Sequence, residues 1–198
     1  MEYRIKKTEN KHIEINDKIW SEIKASEISC CPWDGYRTGI KTTVKAVYTD
    51  TDIILHFDTD EKPLTAFRNH INDSVCEDSC MEFFFRAAGS GSYINIEINP
   101  LGVSLIEAGS PGSRNPVPAE ENPVLISSMI DNEHWTLQYA VPFSFAEKYT
   151  GKLFPYFYGN FYKCGDKTEH PHYACWHPIV SDRPNFHMPD QFGKLILD

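Results

Sequence analysis

Positive charge is scarce in this chain. Its 198 residues hold 19 Lys and Arg against 28 Asp and Glu, a formal net charge of −9. A surface of that sign repels phosphate, which excludes nucleic acid and an anionic membrane as expected partners. Long apolar runs are missing too. No stretch approaches the about 20 apolar residues that span a bilayer. The N-terminal MEYRIKKTENKH carries charges with no apolar run behind them, so no secretory leader is expected. With Met1 as the natural start the expected location is cytoplasmic; a trimmed chain leaves an extracellular one open. Catalytic signatures are also lacking: there is no GxSxG, no HExxH and no Gly-rich phosphate loop. An enzyme is therefore not the expectation. Paired carboxylates such as Glu82 and Glu97 keep a glycoside hydrolase open only if they stand about 5–9.5 Å apart.

Metal motifs are equally thin. The six cysteines, Cys30, Cys31, Cys76, Cys80, Cys164 and Cys175, match no zinc spacing. Free, mostly buried thiols are the expectation in a reducing compartment, with Cys80 on the core side of a strand. His170, His172, His177 and His187 read as surface histidines, because Pro171 breaks the first pair. No DxDxDG loop is present, so calcium has only the acidic pair Glu77 and Asp78 as candidates.

What the chain does have is strand periodicity. Hydrophobic residues make up 41% and aromatics 13%, the composition of an ordered domain rich in half-buried strands. Thr42 to Thr49 places Val44, Ala46 and Tyr48 on one face, and Ile53 to Thr59 pairs back across a turn at Asp50 to Asp52. Cys80 to Arg86 and Tyr93 to Asn99 follow. In the second of these, Ile94, Ile96 and Ile98 share one face while Tyr93, Asn95, Glu97 and Asn99 share the other. That alternation predicts a strand buried on one side and solvated on the other, with a concave ligand platform as the alternative. Val103 to Ala108 pairs back, and Gly109 to Pro123 reads as a long loop. Val124 to Ile130 and Trp135 to Val141 form a hairpin. Leu153 to Lys163, Tyr173 to Trp176 and Phe192 to Leu197 are the last strands. Helix is expected only as a turn at Trp20 and Ile23, leading to a strand near Ile28, and from Pro142 to Tyr149. Hairpin after hairpin with no composition break predicts one domain over 1–198. Its class is all-β, an antiparallel β-sandwich of immunoglobulin or jelly-roll kind with one or two short helices. A closed barrel is the alternative.

Several segments in order carry a resemblance. They are Trp20, then TTVKAVYTDTDIILHFDTDE, then residues 75–85 (VCEDSCMEFFF) and residues 93–102 (YINIEINPLG). The ending adds Trp176-His177-Pro178-Ile179, residues 185–189 (NFHMP) and residues 192–197 (FGKLIL). Together they resemble the family 9 carbohydrate-binding modules and their DOMON-like relatives. The resemblance implies a β-sandwich that binds a mono- or oligosaccharide by aromatic stacking. It also implies a link to polysaccharide breakdown, since some relatives are attached to xylanases, and a structural calcium. Haem-binding relatives use Met and His, for which Met81 with His56 or His187 are the only candidates.

Family 9 modules hold a sugar ring between two tryptophans, and Trp33 and Trp176 are the natural pair; Trp20 and Trp135 lie inside apolar patterns and read as core. Trp33 sits in a polar loop beside Pro32 and Gly35, where a ring can meet the C–H face of a sugar. Its alternative is a Trp folded over a sheet end. Asn95 and Glu97 can hydrogen-bond hydroxyls, Arg86 and Arg114 can add donors, and His177 adjoins Trp176. If the chain is instead a ligand-free interaction module, Trp33 and Trp176 are both buried and no pocket joins them.

Overall fold

The computed structural model describes residues 1–198. Thirteen strands and two short helices follow one another as β1 (Glu2–Lys7), α1 (Ile19–Glu22), β2 (Ser26–Glu27), β3 (Thr42–Tyr48), β4 (Asp52–Thr59), β5 (Cys80–Ala87), β6 (Tyr93–Ile98), β7 (Ser104–Ser110), β8 (Ser113–Pro116), β9 (Leu125–Ile130), β10 (Trp135–Pro142), α2 (Phe143–Tyr149), β11 (Tyr156–Gly165), β12 (His172–Cys175) and β13 (Gly193–Leu197). Neither helix is long and apolar enough to cross a membrane.

All the strands hydrogen-bond into one sheet that curls into two layers, in the order β8-β7-β6-β5-β11-β13-β1-β3-β4-β10-β9, with β12 beside β11 and β2 beside β3. The seam is β1. Its first four residues pair with β13 and its last two pair with β3, both in parallel. The other pairings are antiparallel, so the expected sandwich forms from a mixed sheet. The alternation of Tyr3 and Ile5 is the local signal for β1, a strand that the sequence pattern alone did not single out. Both side chains are buried, and the Tyr3 hydroxyl accepts a hydrogen bond from the Ala46 N–H at 3.0 Å. The segment Gly109 to Pro123 is less loop-like than its composition suggests. β7 runs on to Ser110, and β8 pairs with it as far as Glu107 opposite Pro116. Gly109, at φ +148, makes this possible, because a Cβ there would strike the Ser113 backbone.

The main core lies between the layers. Phe83, Phe85, Ile94, Ile96, Phe157 and Phe161 from the layer of β5–β8 and β11–β13, the first sheet, meet Val44, Leu55, Phe57, Leu137 and Tyr139 from the layer of β2–β4, β9 and β10, the second sheet. Phe57 and Phe161 touch edge to face across the gap, ring centroids 6.0 Å apart. Trp135 belongs to this core as expected, whereas Trp20 lies in a small cluster with Val47 and Ile54 on the outer face of the second sheet.

Candidate functional site

The outer face of the first sheet follows from register. Along β5 the residues Cys80, Glu82, Phe84 and Arg86 alternate away from the core. On β11, Cys164 lies opposite Cys80 and Tyr162 opposite Glu82. On β6, Glu97 lies opposite Glu82 and Asn95 opposite Phe84. On β7, Glu107 lies opposite Asn95. This face is polar in sequence, yet it is not solvated: Tyr93, Asn95, Glu97 and Asn99 are all buried. The expectation of a solvated face fails because the chain folds back over it. Trp33, Ile179, Phe186 and Phe192 form a roof that packs on Phe84, Tyr93 and Tyr162 as a second apolar cluster.

Between floor and roof lies a pocket of about 180 Å³, bounded by Glu82, Glu97 and Phe84 below and by Asn185, Phe186 and His187 above. It is small beside the about 300–1,000 Å³ that drug-sized ligands occupy. A larger hollow of about 530 Å³ lies between loops 35–40 and 168–172. Its lining includes Glu61 and His172, which form a buried group with the neighbouring Lys163. Lys163 Nζ is ion-paired with Glu61 Oε2 at 2.6 Å and donates to His172 Nε2 at 3.0 Å and to the Cys164 carbonyl at 2.8 Å. These three contacts match the three ammonium protons, so the cluster ties the 60–79 loop to β11 and leaves no donor for a ligand.

The small pocket differs in that respect. Cys164 Sγ donates to Glu82 Oε1 at 2.7 Å, and Asn95 Nδ2 donates to Glu97 Oε1 at 3.0 Å. The second oxygen of each carboxyl has no protein partner and borders the pocket. Burial, then the neighbouring Glu97, pushes the Glu82 carboxyl well above the usual range. Burial pushes Glu97 up to about 8 against the Asn95 hydrogen bond. As neutral acids both groups donate as well as accept, which suits hydroxyl ligands.

The wall above is set by His187. Its ring stacks on Phe84 at 4.9 Å between centroids. Burial, then the Arg114 charge, lowers its pKa to about 4, so it is neutral at pH 7. Arg114 can only donate, and its NH2 lies 3.4 Å from His187 Nε2. The imidazole proton therefore sits on Nδ1 and is donated to the Tyr93 hydroxyl oxygen, 2.9 Å away. That leaves the Tyr93 O–H free to donate in turn. Arg114 is held by Glu107 Oε2 at 3.1 Å, and Asn95 Nδ2 reaches the same oxygen at 3.3 Å. Asn95, Glu97 and Arg114, three of the residues expected from sequence, are thus brought into one network.

The others are placed elsewhere. Trp33 is 5% exposed and Trp176 is 4% exposed, and they lie in different clusters. Trp176 packs edge-on against Tyr3 and on Phe161 in the main core. Trp33 Nε1 donates to the Ser181 carbonyl at 2.9 Å and pins the roof. No pocket joins the two rings, so they do not form the expected sugar sandwich, and the apolar interior beneath each loop is the reason. That burial is what an interaction module is expected to show, but such a module does not account for the pocket under His187. Arg86 Nε donates to the Pro189 carbonyl at 3.1 Å and braces the roof from outside the pocket. His177 turns Nδ1 toward the Pro178 carbonyl and does not line the pocket. Glu77 is paired with Arg68 and Lys167, and Asp78 accepts from the Phe67 and Arg68 N–H groups and from Asn99. Every oxygen of this acidic pair is held by a protein donor, so the two do not fit a calcium site. Met81 points into the main core, away from both His56 and His187.

Phe84, Phe186 and Asn185 were not among the residues expected from sequence. The run Phe83-Phe84-Phe85 held the signal, since its middle ring must face opposite to its neighbours and toward Glu82.

The same architecture recurs in solved proteins. A candidate carbohydrate-binding protein from Bacteroides uniformis ATCC 8492 superposes with a TM-score of 0.90 at 29% identity, covering 100% of this chain and 99% of that one. A family 9 module from Caldicellulosiruptor kristjanssonii in complex with glucose gives 0.71 at 10% identity, covering 100% and 96%. The C. kristjanssonii module in complex with cellotriose gives 0.68 at 11%, covering 98% and 93%. No curated protein matches the sequence. The sequence profile of carbohydrate-binding family 9 matches residues 14–197, nearly the whole curled sheet with its roofed pocket, and the chain belongs to that family.

Proposed function

We propose that the pocket under His187 binds one sugar ring, with Glu82 and Glu97 directing hydroxyls and Phe84, Phe186 and His187 supplying the aromatic surface. The observation that carries this reading is the pair of buried carboxyls, each with one oxygen turned to a pocket walled by aromatic rings. Hydroxyl groups entering there gain both donors and acceptors, while ring C–H groups meet apolar faces. The volume of about 180 Å³ favours a chain end or a monosaccharide over the middle of a polymer. Gluco-configured sugars are the first to try, because fold relatives were solved with glucose and cellotriose.

Binding is favoured over hydrolysis by placement. Glu82 and Glu97 stand opposite each other on adjacent strands of one sheet. Both approach a ligand from the same side, whereas an acid and its nucleophile or base must flank the scissile bond.

Trp33 provides the assay, because its ring touches Tyr173 and Phe186, which line the pocket. A saturable change in tryptophan fluorescence with glucose or a cello-oligosaccharide, absent in Trp33→Phe while calorimetric binding persists, is the expected result. No heat and no fluorescence change with any sugar of a broad panel would overturn the reading.

A further inference from the structure

We propose that Cys80, Cys164 and Glu82 form a binding site for a thiophilic divalent metal ion of the zinc class at the floor of the pocket. The sequence hid this grouping because it is built across strands rather than from a short spacing. Cys80 and Glu82 stand two apart on β5, and so on one face, while Cys164 is the direct cross-strand partner of Cys80. Directly opposed side chains have Cβ atoms about 4.5–5.5 Å apart, close enough for both sulfurs to reach one ion. The two sulfurs and a Glu82 oxygen lie within 4.8 Å of one another, and all three residues are buried. No other group of three His, Cys, Asp or Glu donor atoms in the chain meets so closely.

Core packing does not account for this group. A buried carboxyl whose only modest donor besides the pocket is a thiol costs free energy that an apolar side chain would not. Glu82 has one oxygen on Cys164 and the other without a protein partner, although the residue is only 2% exposed. A dication answers that deficit: with both thiols and the carboxyl ionised, the site supplies two sulfurs and one oxygen and releases its protons to solvent. Three protein donors leave a tetrahedral ion one position, and two of the three, Glu82 and Cys164, border the pocket. Thiolates select zinc-like ions over calcium or magnesium, which take oxygen ligands.

The site shares Glu82 with the proposed sugar pocket, so metal binding is tested on its own, without sugar. The fully reduced protein is titrated with Co²⁺ and then with Zn²⁺, following the thiolate-to-cobalt charge-transfer band. One Co²⁺ per chain, a thiolate band, and displacement by Zn²⁺ are expected. The band should vanish in Cys80→Ser and Cys164→Ser and persist in Cys30→Ser and Cys31→Ser. Glu82→Gln keeps the shape of the site, and the account predicts at least about tenfold weaker Zn²⁺ binding. If a Ser variant does not fold, Glu82→Gln and wild type decide the matter. The proposal is overturned if folded, reduced wild type shows no thiolate band. It is equally overturned if the band survives loss of both Cys80 and Cys164, if Glu82→Gln binds Zn²⁺ as wild type does, or if the isolated protein carries a Cys80–Cys164 disulfide that excludes metal.

Discussion

The curled sheet has two outer faces, and a segment of chain covers each. On the second sheet, Lys45, His56 and Gln138 lie in one register row and Thr43, Asp58 and Thr136 in the next. Residues 13–23 cross this face and pair its polar groups: Trp20 Nε1 donates to Gln138 Oε1 at 2.9 Å, Gln138 Nε2 to the Ile13 carbonyl at 2.7 Å, and His56 Nε2 meets the Ile15 carbonyl at 3.0 Å. Only His56 Nδ1 is left without a partner there. On the first sheet the roof packs on Phe84 and Tyr162 through His187 and Phe186 and is braced by Arg86 on the Pro189 carbonyl and by Trp33 on Ser181, but leaves a pocket over the carboxyls. Glu82 and Glu97 are left beneath it, each with an oxygen uncommitted. A cover that satisfies the face beneath it is structural. A cover that leaves buried hydrogen-bonding groups open makes a site, because those groups gain free energy when a ligand completes them.

The largest test of this contrast removes the anchor of each cover. Trp33→Ala loses a buried indole and its hydrogen bond to Ser181, and is expected to cost about 3–5 kcal/mol in urea unfolding, together with sugar binding. Trp20→Ala, in its small cluster on the other face, should leave sugar affinity unchanged. Loss of sugar binding in both variants would erase the distinction between the faces.

Acid titration comes next. His187 and His172 are both held neutral by burial, each lowered to about 4 from an ordinary 6.5. Between those values the unfolded chain takes up protons that the folded chain refuses, so stability is present above about 6.5 and is lost as pH falls toward 4. The raised carboxyls of Glu82 and Glu97 act in the opposite direction over much of the same range. The histidine contribution is therefore read as a difference: melting curves of His187→Phe should lose less stability than wild type as pH falls from 6.5 toward 4.

Gly193→Ala examines Trp176 as a core residue. A Cβ at position 193 would overlap the Trp176 ring, and overpacking of this kind costs about 1–3 kcal/mol. A melting temperature equal to wild type would show that Trp176 is free to move. Glu97→Gln keeps the pocket's shape and is expected to weaken sugar binding about tenfold, or about 1.4 kcal/mol, without loss of stability. The smallest effect belongs to the other face. Asp58→Asn disturbs a half-exposed contact to His134 and should change stability by less than about 1 kcal/mol and sugar affinity not at all.

Strand positions are legible in the sequence because alternation of side chains is a local property. The rows Ile94, Ile96, Ile98 and Val44, Ala46, Tyr48 mark their core faces by spacing alone, and all six side chains are buried. The site is legible only in part. Asn95, Glu97 and Arg114 stand out as polar groups on or near strands, but the pattern says which side of a strand avoids the main core, not whether water or chain lies there. The roof is set by contacts such as Phe186 stacked on Tyr162, centroids 4.1 Å apart and 24 positions distant in sequence. Trp33 and Trp176 mislead for the same reason, since a polar neighbourhood in sequence does not report a buried one in space. Cys80 and Cys164 meet through β-sheet register over a separation that no spacing motif encodes.

The most direct measurement is calorimetric titration of glucose and cellotriose into wild type, His187→Ala and Gln138→Ala. The account predicts one site per chain, affinity at least about tenfold weaker in His187→Ala, and no change in Gln138→Ala. Wild-type affinity retained in His187→Ala, or lost in Gln138→Ala, would contradict the placement of the carbohydrate under the roof of the first sheet.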